Sequence, residues 1–259
     1  MRLIPLIFLL VTFVVEAADV PSISVLNLKI ADDQKLPLSN KVQFIIKSSN
    51  TEAIFDFLKT RNNIKAKTLS NSSLWISLDT TKELLGESNS NYLKSSFVID
   101  YDEPEVQAFV NDFKLKYQGQ IWGIDDLLEY VDDYIDNPSF SRGFDLASIV
   151  VKKRSGDCTE YSVLTTALAR ALGMPSRVMV GAIIIDEGDK VSAIGHAWSE
   201  IWQEGKWKIA DSAMFKGEYE NLFYLPSSEL MKEDLGYTLS IFKIVGLMPK
   251  EIIDLKDLK

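Results

Sequence analysis

The chain has 259 residues, a formal net charge of −9, one cysteine and one histidine. Its length accommodates one large domain or two small ones with a substantial core, and its negative charge argues against a nucleic-acid partner. A single cysteine excludes an internal disulfide and a thiol-rich metal cage, and a zinc site would need carboxylates for most of its ligands. We therefore expect no metal and no cofactor.

Residues 1–18 have the features of a secretory signal peptide. Arg2 precedes an apolar stretch from Leu3 to Val15, and Ala17 and Ala18 supply small residues for a cleavage site. The apolar stretch is too short to span a bilayer comfortably, and no other stretch of the chain is long enough. We expect cleavage after Ala17 or Ala18 and an exported mature protein, periplasmic or secreted, without a membrane span.

Residues 19–98 are expected to form a small α/β region of unknown role. Short alternating runs at 42–46 and 74–78 predict strands. A helix is predicted from Ser49 to Lys59, because Ser49 and Glu52 have the spacing of a capping box. A loop from Gly86 to Ser96, rich in Asn, Ser and Gly, is expected to be the hinge to the second region.

Residues 99–259 are expected to form a second region, which would carry the chemistry. Capping residues and apolar periodicity predict helices at 103–117, 125–135 and 145–154. After a further helix that begins at the cysteine, the pattern changes to strands. An antiparallel sheet is predicted from runs at 177–185, 190–202, 207–211 and 237–245.

Cys158 is predicted to lie in the first turn of its helix. Asp157 is a good N-cap, Glu160 has the capping-box spacing, and Gly173 is a stop signal. The thiolate is the nucleophilic form of a cysteine, and a free thiol is only a few per cent ionised at neutral pH. A helix N-terminus favours negative charge by roughly 0.3–2 kcal/mol, which is about one pKa unit. A cationic imidazole is needed for the rest, and His196 is the single candidate.

His196 lies in an alternating segment that a turn joins to a second alternating run, which predicts a β-hairpin. If Trp202 pairs with Trp207, then Trp198 lies opposite Asp211. Asp211 becomes the diagonal neighbour of His196 on the same face, at a backbone separation of about 7–8 Å that side chains can span. A carboxylate there can hold one ring nitrogen and leave the other for the thiol.

These motifs together resemble the transglutaminase-like superfamily, in its exported bacterial form. The resemblance covers about residues 99–225 and rests on Gly-Asp-Cys-x-Glu-Tyr-Ser at 156–162, the segment 169–181, His-Ala-Trp-x-Glu at 196–200 and Trp-x-x-x-Asp at 207–211. It implies an α+β fold with a papain-like core, in which the cysteine helix packs on an antiparallel sheet. It also places the family's catalytic cysteine, histidine and aspartate on Cys158, His196 and Asp211.

The resemblance implies thiol acyl transfer on a peptide or protein substrate. Water as the second acceptor makes the protein a peptidase or amidase, and exported bacterial-type members favour this hydrolytic alternative. A lysine amine as acceptor makes it a protein-glutamine cross-linking transglutaminase. A third alternative is a non-catalytic binding module on the same fold, against which the intact triad argues. The substrate and the oligomeric state stay open.

Other residues have structural interpretations that we favour. The acidic run 186–189 lacks the ligand spacing of a calcium loop and is typical of a hairpin turn. The basic run 152–154 compensates a helix dipole, and the hairpin tryptophans pack. The oxyanion hole would combine the Cys158 backbone N–H with a second donor, for which the sequence leaves three candidates: Gln118, Gln120 and Trp122.

Overall fold

The structure is a computed structural model that describes residues 26–139, 144–230, 233 and 243–258. The predicted signal peptide, residues 1–18, lies outside the described residues. Within those ranges, no helix is long and apolar enough to cross a membrane.

The described residues form a mixed α+β fold. Its helices are α1 (Thr51–Leu58), α2 (Pro104–Lys116), α3 (Ile124–Tyr134), α4 (Ala147–Lys153) and α5 (Cys158–Ala171). Its strands are β1 (Asn27–Ile30), β2 (Lys41–Lys47), β3 (Ile64–Ser70), β4 (Ser73–Asp79), β5 (Asn137–Pro138), β6 (Ser155–Gly156), β7 (Ser176–Asp186), β8 (Val191–Gln203), β9 (Lys206–Ala210), β10 (Asn221–Glu229) and β11 (Glu251–Asp257). Residues 243–247 are also helical.

The strands form two larger sheets. The first has the strand order β1-β11-β2-β4-β3, and the second has the order β10-β7-β8-β9. The second sheet is antiparallel throughout, as the resemblance implied. In the first sheet, β11 pairs parallel with β1 and antiparallel with β2. The chain thus returns near its C-terminal end to the sheet formed by its N-terminal strands.

The second sheet contributes to two hydrophobic cores. In the first core, Val178, Val180 and Ala197 pack with the buried faces of α2, α3, α4 and α5. In the second core, other residues of the same sheet, such as Ile184 on β7 and Phe223 on β10, pack with the apolar side chains of the N-terminal sheet and α1. Burial of each large apolar side chain contributes about 1.5–3 kcal/mol, so both cores fix the position of this sheet.

Most predicted elements agree with the structure. The helices predicted at 103–117, 125–135 and 145–154 are α2, α3 and α4, and the strands predicted at 42–46 and 74–78 are β2 and β4. Local periodicity and capping chemistry are sufficient for these elements, because their boundaries do not depend on distant partners.

Two predictions require correction, and the sequence leaves two strands unpredicted. The capping box at Ser49 is wrong: α1 begins at Thr51, and its N-cap residue Asn50 makes no side-chain cap bond. The Asn50 amide instead donates to the carbonyl of Gly246 at 2.6 Å, so a tertiary contact replaces the local one. Neither β10 nor β11 is predicted from the sequence. The strand predicted at 237–245 lies outside the described residues over 237–242, and its described part is helical.

Candidate active site

The N-terminus of α5 places Cys158 at the first helical position, and the predicted capping box is confirmed. The Asp157 carboxylate accepts a hydrogen bond from the Thr159 N–H at 3.0 Å, and the Glu160 carboxylate accepts one from the Asp157 N–H at 3.0 Å. Glu160 is fully buried, and a Cβ at Gly156 would lie 2.2 Å from the Glu160 Cβ. Residue 156 must therefore be glycine, because any side chain at this position would overlap that of Glu160.

Buried hydroxyl groups join α5 to the second sheet. Thr166 and Ser199 share a hydrogen bond of 2.9 Å, and the Ser199 hydroxyl donates to the carbonyl of Ser162 at 2.9 Å. Thr165 is hydrogen-bonded to Ser212 at 2.7 Å, immediately after Asp211. Because buried polar groups are costly when unpaired, these bonds favour a single orientation of the cysteine helix against the strands that carry His196 and Asp211.

The hairpin register has the predicted form. Trp202 pairs with Trp207, and the pairing continues toward Ala210, the last residue of β9. His196 Nε2 and Asp211 Oδ2 are 2.6 Å apart, and the two residues are 2% and 7% exposed. The sequence thus predicted this contact correctly, including its geometry across the strands.

The imidazole also interacts with Cys158. Burial alone lowers the pKa of His196, but the Asp211 carboxylate and the adjacent Cys158 outweigh burial and raise it from 6.5 to about 10. Since Asp211 engages Nε2, the other nitrogen, Nδ1, is the one available to the thiol. Nδ1 is buried and has no hydrogen-bond partner among the residues that the structure describes. Cys158 itself is partly exposed.

Two aromatic residues beside the imidazole were not assigned to the site from the sequence. Tyr224 on β10 donates a hydrogen bond to Asp211 Oδ2 at 2.8 Å. Partial burial and the neighbouring carboxylate raise the pKa of Tyr224 well above that of an ordinary phenol. Trp198 is 1% exposed and stacks with His196 at a centroid distance of 6.2 Å. The aromatic rings limit the access of water to the His-Asp pair. The sequence offered no signal for Tyr224, because β10 was not predicted.

The remaining candidates have different surroundings. Trp122 packs its edge against Phe113 at 5.4 Å, whereas Gln118 and Gln120 are exposed. Each residue of the basic run 152–154 pairs with a carboxylate outside the site. The acidic run is the turn between β7 and β8, as predicted, but Asp186 is fully buried and accepts the Leu38 N–H at 2.6 Å.

A search of the described ranges found no group of three or more His, Cys, Asp or Glu side chains that could hold a metal ion.

Comparison with known proteins relates this site to one family. The sequence profile of the transglutaminase-like superfamily matches residues 108–212, a range that includes Cys158, His196 and Asp211. No curated protein sequence matches the chain.

Similar solved structures include the following. A candidate cysteine protease from Cytophaga hutchinsonii is 14% identical, with a TM-score of 0.38 and coverage of 75% of both chains. The periplasmic domain of TgpA from Pseudomonas aeruginosa, bound to ethylmercury, is 15% identical, with a TM-score of 0.43 and coverage of 71% of this chain and 75% of the other. A structure described as a TGase is 13% identical, with a TM-score of 0.33 and coverage of 75% and 57%.

Proposed function

We propose that the chain, whose residues 108–212 match the profile of the transglutaminase-like superfamily, is a thiol peptidase or amidase whose catalytic triad is Cys158, His196 and Asp211. The observation that carries the proposal is the buried His196–Asp211 hydrogen bond of 2.6 Å, next to a cysteine at a helix N-terminus. The nucleophile, the base and the orienting carboxylate thus follow one another in space, which is the arrangement that nucleophilic catalysis requires.

In the first half-reaction, the Cys158 sulfur attacks the carbonyl carbon of an amide. The charge that develops on the carbonyl oxygen is stabilised by the backbone N–H of Cys158 at the start of α5, together with a second donor. His196, positively charged, gives its Nδ1 proton to the departing nitrogen. The C–N bond breaks, the amine leaves, and the acyl group remains on the sulfur as a thioester.

In the second half-reaction, neutral His196 acts as the base. It removes a proton from water, the resulting hydroxide attacks the thioester, and the carboxylic acid leaves as the Cys158 thiolate is restored beside the imidazolium. Asp211 holds Nε2–H throughout, so that Nδ1 keeps the orientation that both steps need. The residues that we place in the mechanism require no cofactor.

The site supports a second function by the same first step. A primary amine in place of water would yield a new amide, and the protein would then be a protein-glutamine cross-linking transglutaminase. The partly exposed Cys158 is compatible with either acceptor. Hydrolysis is favoured because water is always present, whereas cross-linking needs an acceptor site for the amine.

A quantitative product analysis separates these functions. The mature protein is incubated with isotope-labelled glutamine-containing peptides, with and without a lysine analogue, and the products are identified by mass. Peptide cleavage or deamidation, abolished in Cys158→Ala, supports the proposal; amine adducts support cross-linking. Absence of both products, with Cys158 also inert toward iodoacetamide in the folded protein, would indicate the binding module.

We further propose that the protein is exported, since residues 1–18 have the composition of a signal peptide. The substrate would then be a peptide or protein outside the cytoplasm. The intact mass of the protein recovered from its native compartment tests this. Loss of 17 or 18 residues is expected from the positions of Ala17 and Ala18, and a species that retains Met1 would contradict export by cleavage.

A further inference from the structure

Tyr224 shares one oxygen of Asp211 with His196. The Tyr224 hydroxyl donates to Asp211 Oδ2 at 2.8 Å, and His196 Nε2 lies 2.6 Å from the same atom. A carboxylate oxygen has two lone pairs, so it accepts both hydrogen bonds at once. The orientation of the carboxylate is therefore determined by two side chains from different strands.

The two donors hold Asp211 from separate parts of the sheet. In the strand order β10-β7-β8-β9, Tyr224 lies on one edge strand, and Asp211 directly follows the opposite edge strand. Three strand spacings in a flat sheet amount to about 14 Å, which is more than a tyrosine and an aspartate side chain span together. The hydrogen bond thus requires Asp211 to turn inward from the end of β9, toward the imidazole.

The second hydrogen bond matters most when the imidazole is neutral. Asp211 is 7% exposed, and a buried carboxylate is costly unless it has partners. In the thiolate form of the site, the imidazolium supplies a countercharge. After it has protonated the departing amine, His196 is neutral. Its Nε2–H still donates to Oδ2 but carries no countercharge, so the Tyr224 hydroxyl supplies a larger share of the stabilisation of the charge on Oδ2.

We propose that Tyr224 is a positioning residue for the reaction, whose hydroxyl fixes the Asp211 carboxylate and thereby keeps Nδ1 of His196 toward the thiol in both half-reactions. This proposal rests on the proposed function, because it assigns Tyr224 to the same triad. The competing explanation is packing alone, since the Tyr224 ring lies 5.1 Å from the Trp198 ring.

The variant Tyr224→Phe separates the two roles, because it keeps the ring and removes only the hydroxyl. The control is Tyr219→Phe. Tyr219 is also near Asp211, but its hydroxyl contacts Met214 sulfur at 3.8 Å instead of the carboxylate. Both variants are made in the wild-type and Asp211→Asn backgrounds, and peptide turnover is measured for all of them.

For Tyr224→Phe we expect turnover to fall roughly 10-fold with little change in KM, the loss expected for one hydrogen bond to a charged group. Tyr219→Phe should stay within about 2-fold of wild type. In the Asp211→Asn background, Tyr224→Phe should cause little further loss, because its target is gone. A 10-fold loss of equal size in both backgrounds, or no loss in either, would overturn the proposal.

A second measurement does not depend on the substrate. The chain has one histidine, so its NMR imidazole signals need no assignment. Removing the hydroxyl concentrates the negative charge of Asp211 on the imidazolium, so the titration midpoint of His196 should rise by roughly half a pH unit or more in Tyr224→Phe. An unchanged midpoint contradicts the proposal. If the midpoint shifts but the wild-type protein hydrolyses no peptide, Tyr224 is still a positioning residue for His196, and the proposed peptidase function is refuted instead.

If Tyr224→Phe does not fold, the wild type and Asp211→Asn suffice. The Tyr224 ring signals should titrate at lower pH in Asp211→Asn, because the carboxylate that disfavours the phenolate is removed. No change would mean that the hydroxyl is not coupled to Asp211.

Discussion

Replacing Arg61 with Met tests how the N-terminal region is joined to the candidate active site. Arg61 follows α1 and lies against Glu200, which is on β8, the strand that also carries His196. Arg61 Nη1 donates to Glu200 Oε2 at 3.0 Å, and Nη2 is paired with Oε1. Arg177 donates to Oε2 at 2.8 and 3.1 Å, so Arg61 is the one partner of Oε1 among the described residues.

Both partners of this ion pair are buried, at 8% exposure for Arg61 and 0% for Glu200. Burial alone raises the pKa of Glu200, but the Arg61 and Arg177 guanidinium groups more than offset burial and lower it. Removing one partner of a buried pair costs about 3–5 kcal/mol. Because Arg177 remains, we expect the lower end, about 3 kcal/mol, which corresponds to a decrease of roughly 6–12 °C in Tm for a chain of this size.

Thermal unfolding followed by circular dichroism at neutral pH measures this effect. The control is Lys59→Met, whose side chain is 55% exposed and pairs with Asp56, and it should change the stability by less than about 0.5 kcal/mol. The double variant Arg61→Met/Glu200→Gln restores the local charge balance with Arg177 and Glu229, and it should be more stable than the sum of its single variants predicts. A Tm loss for Arg61→Met equal to that of the control, or strict additivity in the double variant, would refute the reasoning.

Three further predictions concern the triad. Asp211→Asn should reduce turnover by about 10²-fold or more, because the amide supplies no negative charge to the imidazolium. The control Asp189→Asn, on an exposed turn, should lose little turnover. Near-wild-type turnover in folded Asp211→Asn would remove Asp211 from the mechanism. Iodoacetamide should alkylate Cys158 in the folded protein, and His196→Ala should slow the reaction because the imidazole no longer assists the thiol. Equal alkylation rates for the wild type and His196→Ala would indicate a structural cysteine. The raised pKa of His196 stabilises the folded state fully below about pH 6.5, and this stabilisation should be lost as the pH rises through about 10. In urea titrations, the free energy of unfolding of His196→Ala should lack this decrease at alkaline pH. An equal decrease in the variant would contradict the assignment.

The arrangement of the candidate site could be predicted from the sequence largely because its determinants are local. The capping box of α5 uses residues within one helical turn, and the hairpin of β8 and β9 is joined by a short turn. Its register follows from pairing Trp202 with Trp207, and that register alone brings Asp211 to His196. A slip of one residue would have moved Asp211 to the other face, so the 2.6 Å contact is a sensitive check of the prediction.

The parts that could not be predicted depend on distant partners. β10 contains Pro226 and two serines, a composition typical of a loop, but it is an edge strand of its sheet, where proline is tolerated. Its register is also irregular between Pro226 and Ser228. β11 is a short run whose strand partners are about two hundred residues away in the chain, and periodicity carries no information about such pairing.

These nonlocal elements contribute residues that hold the candidate site in place. Tyr224 enters through β10, and Arg61 enters from the N-terminal region, yet each meets a charged residue next to His196 or on the same strand. The second core packs the N-terminal sheet against Ile184 and Phe223 of the sheet that carries the triad. Local motifs are thus sufficient to identify the candidate reacting groups, whereas the groups that hold them in place come from parts of the chain that carry no motif. A fragment comprising only residues 99–259 would therefore lose the Arg61 contact to Glu200 and half of that core, and it should be less stable than the full chain.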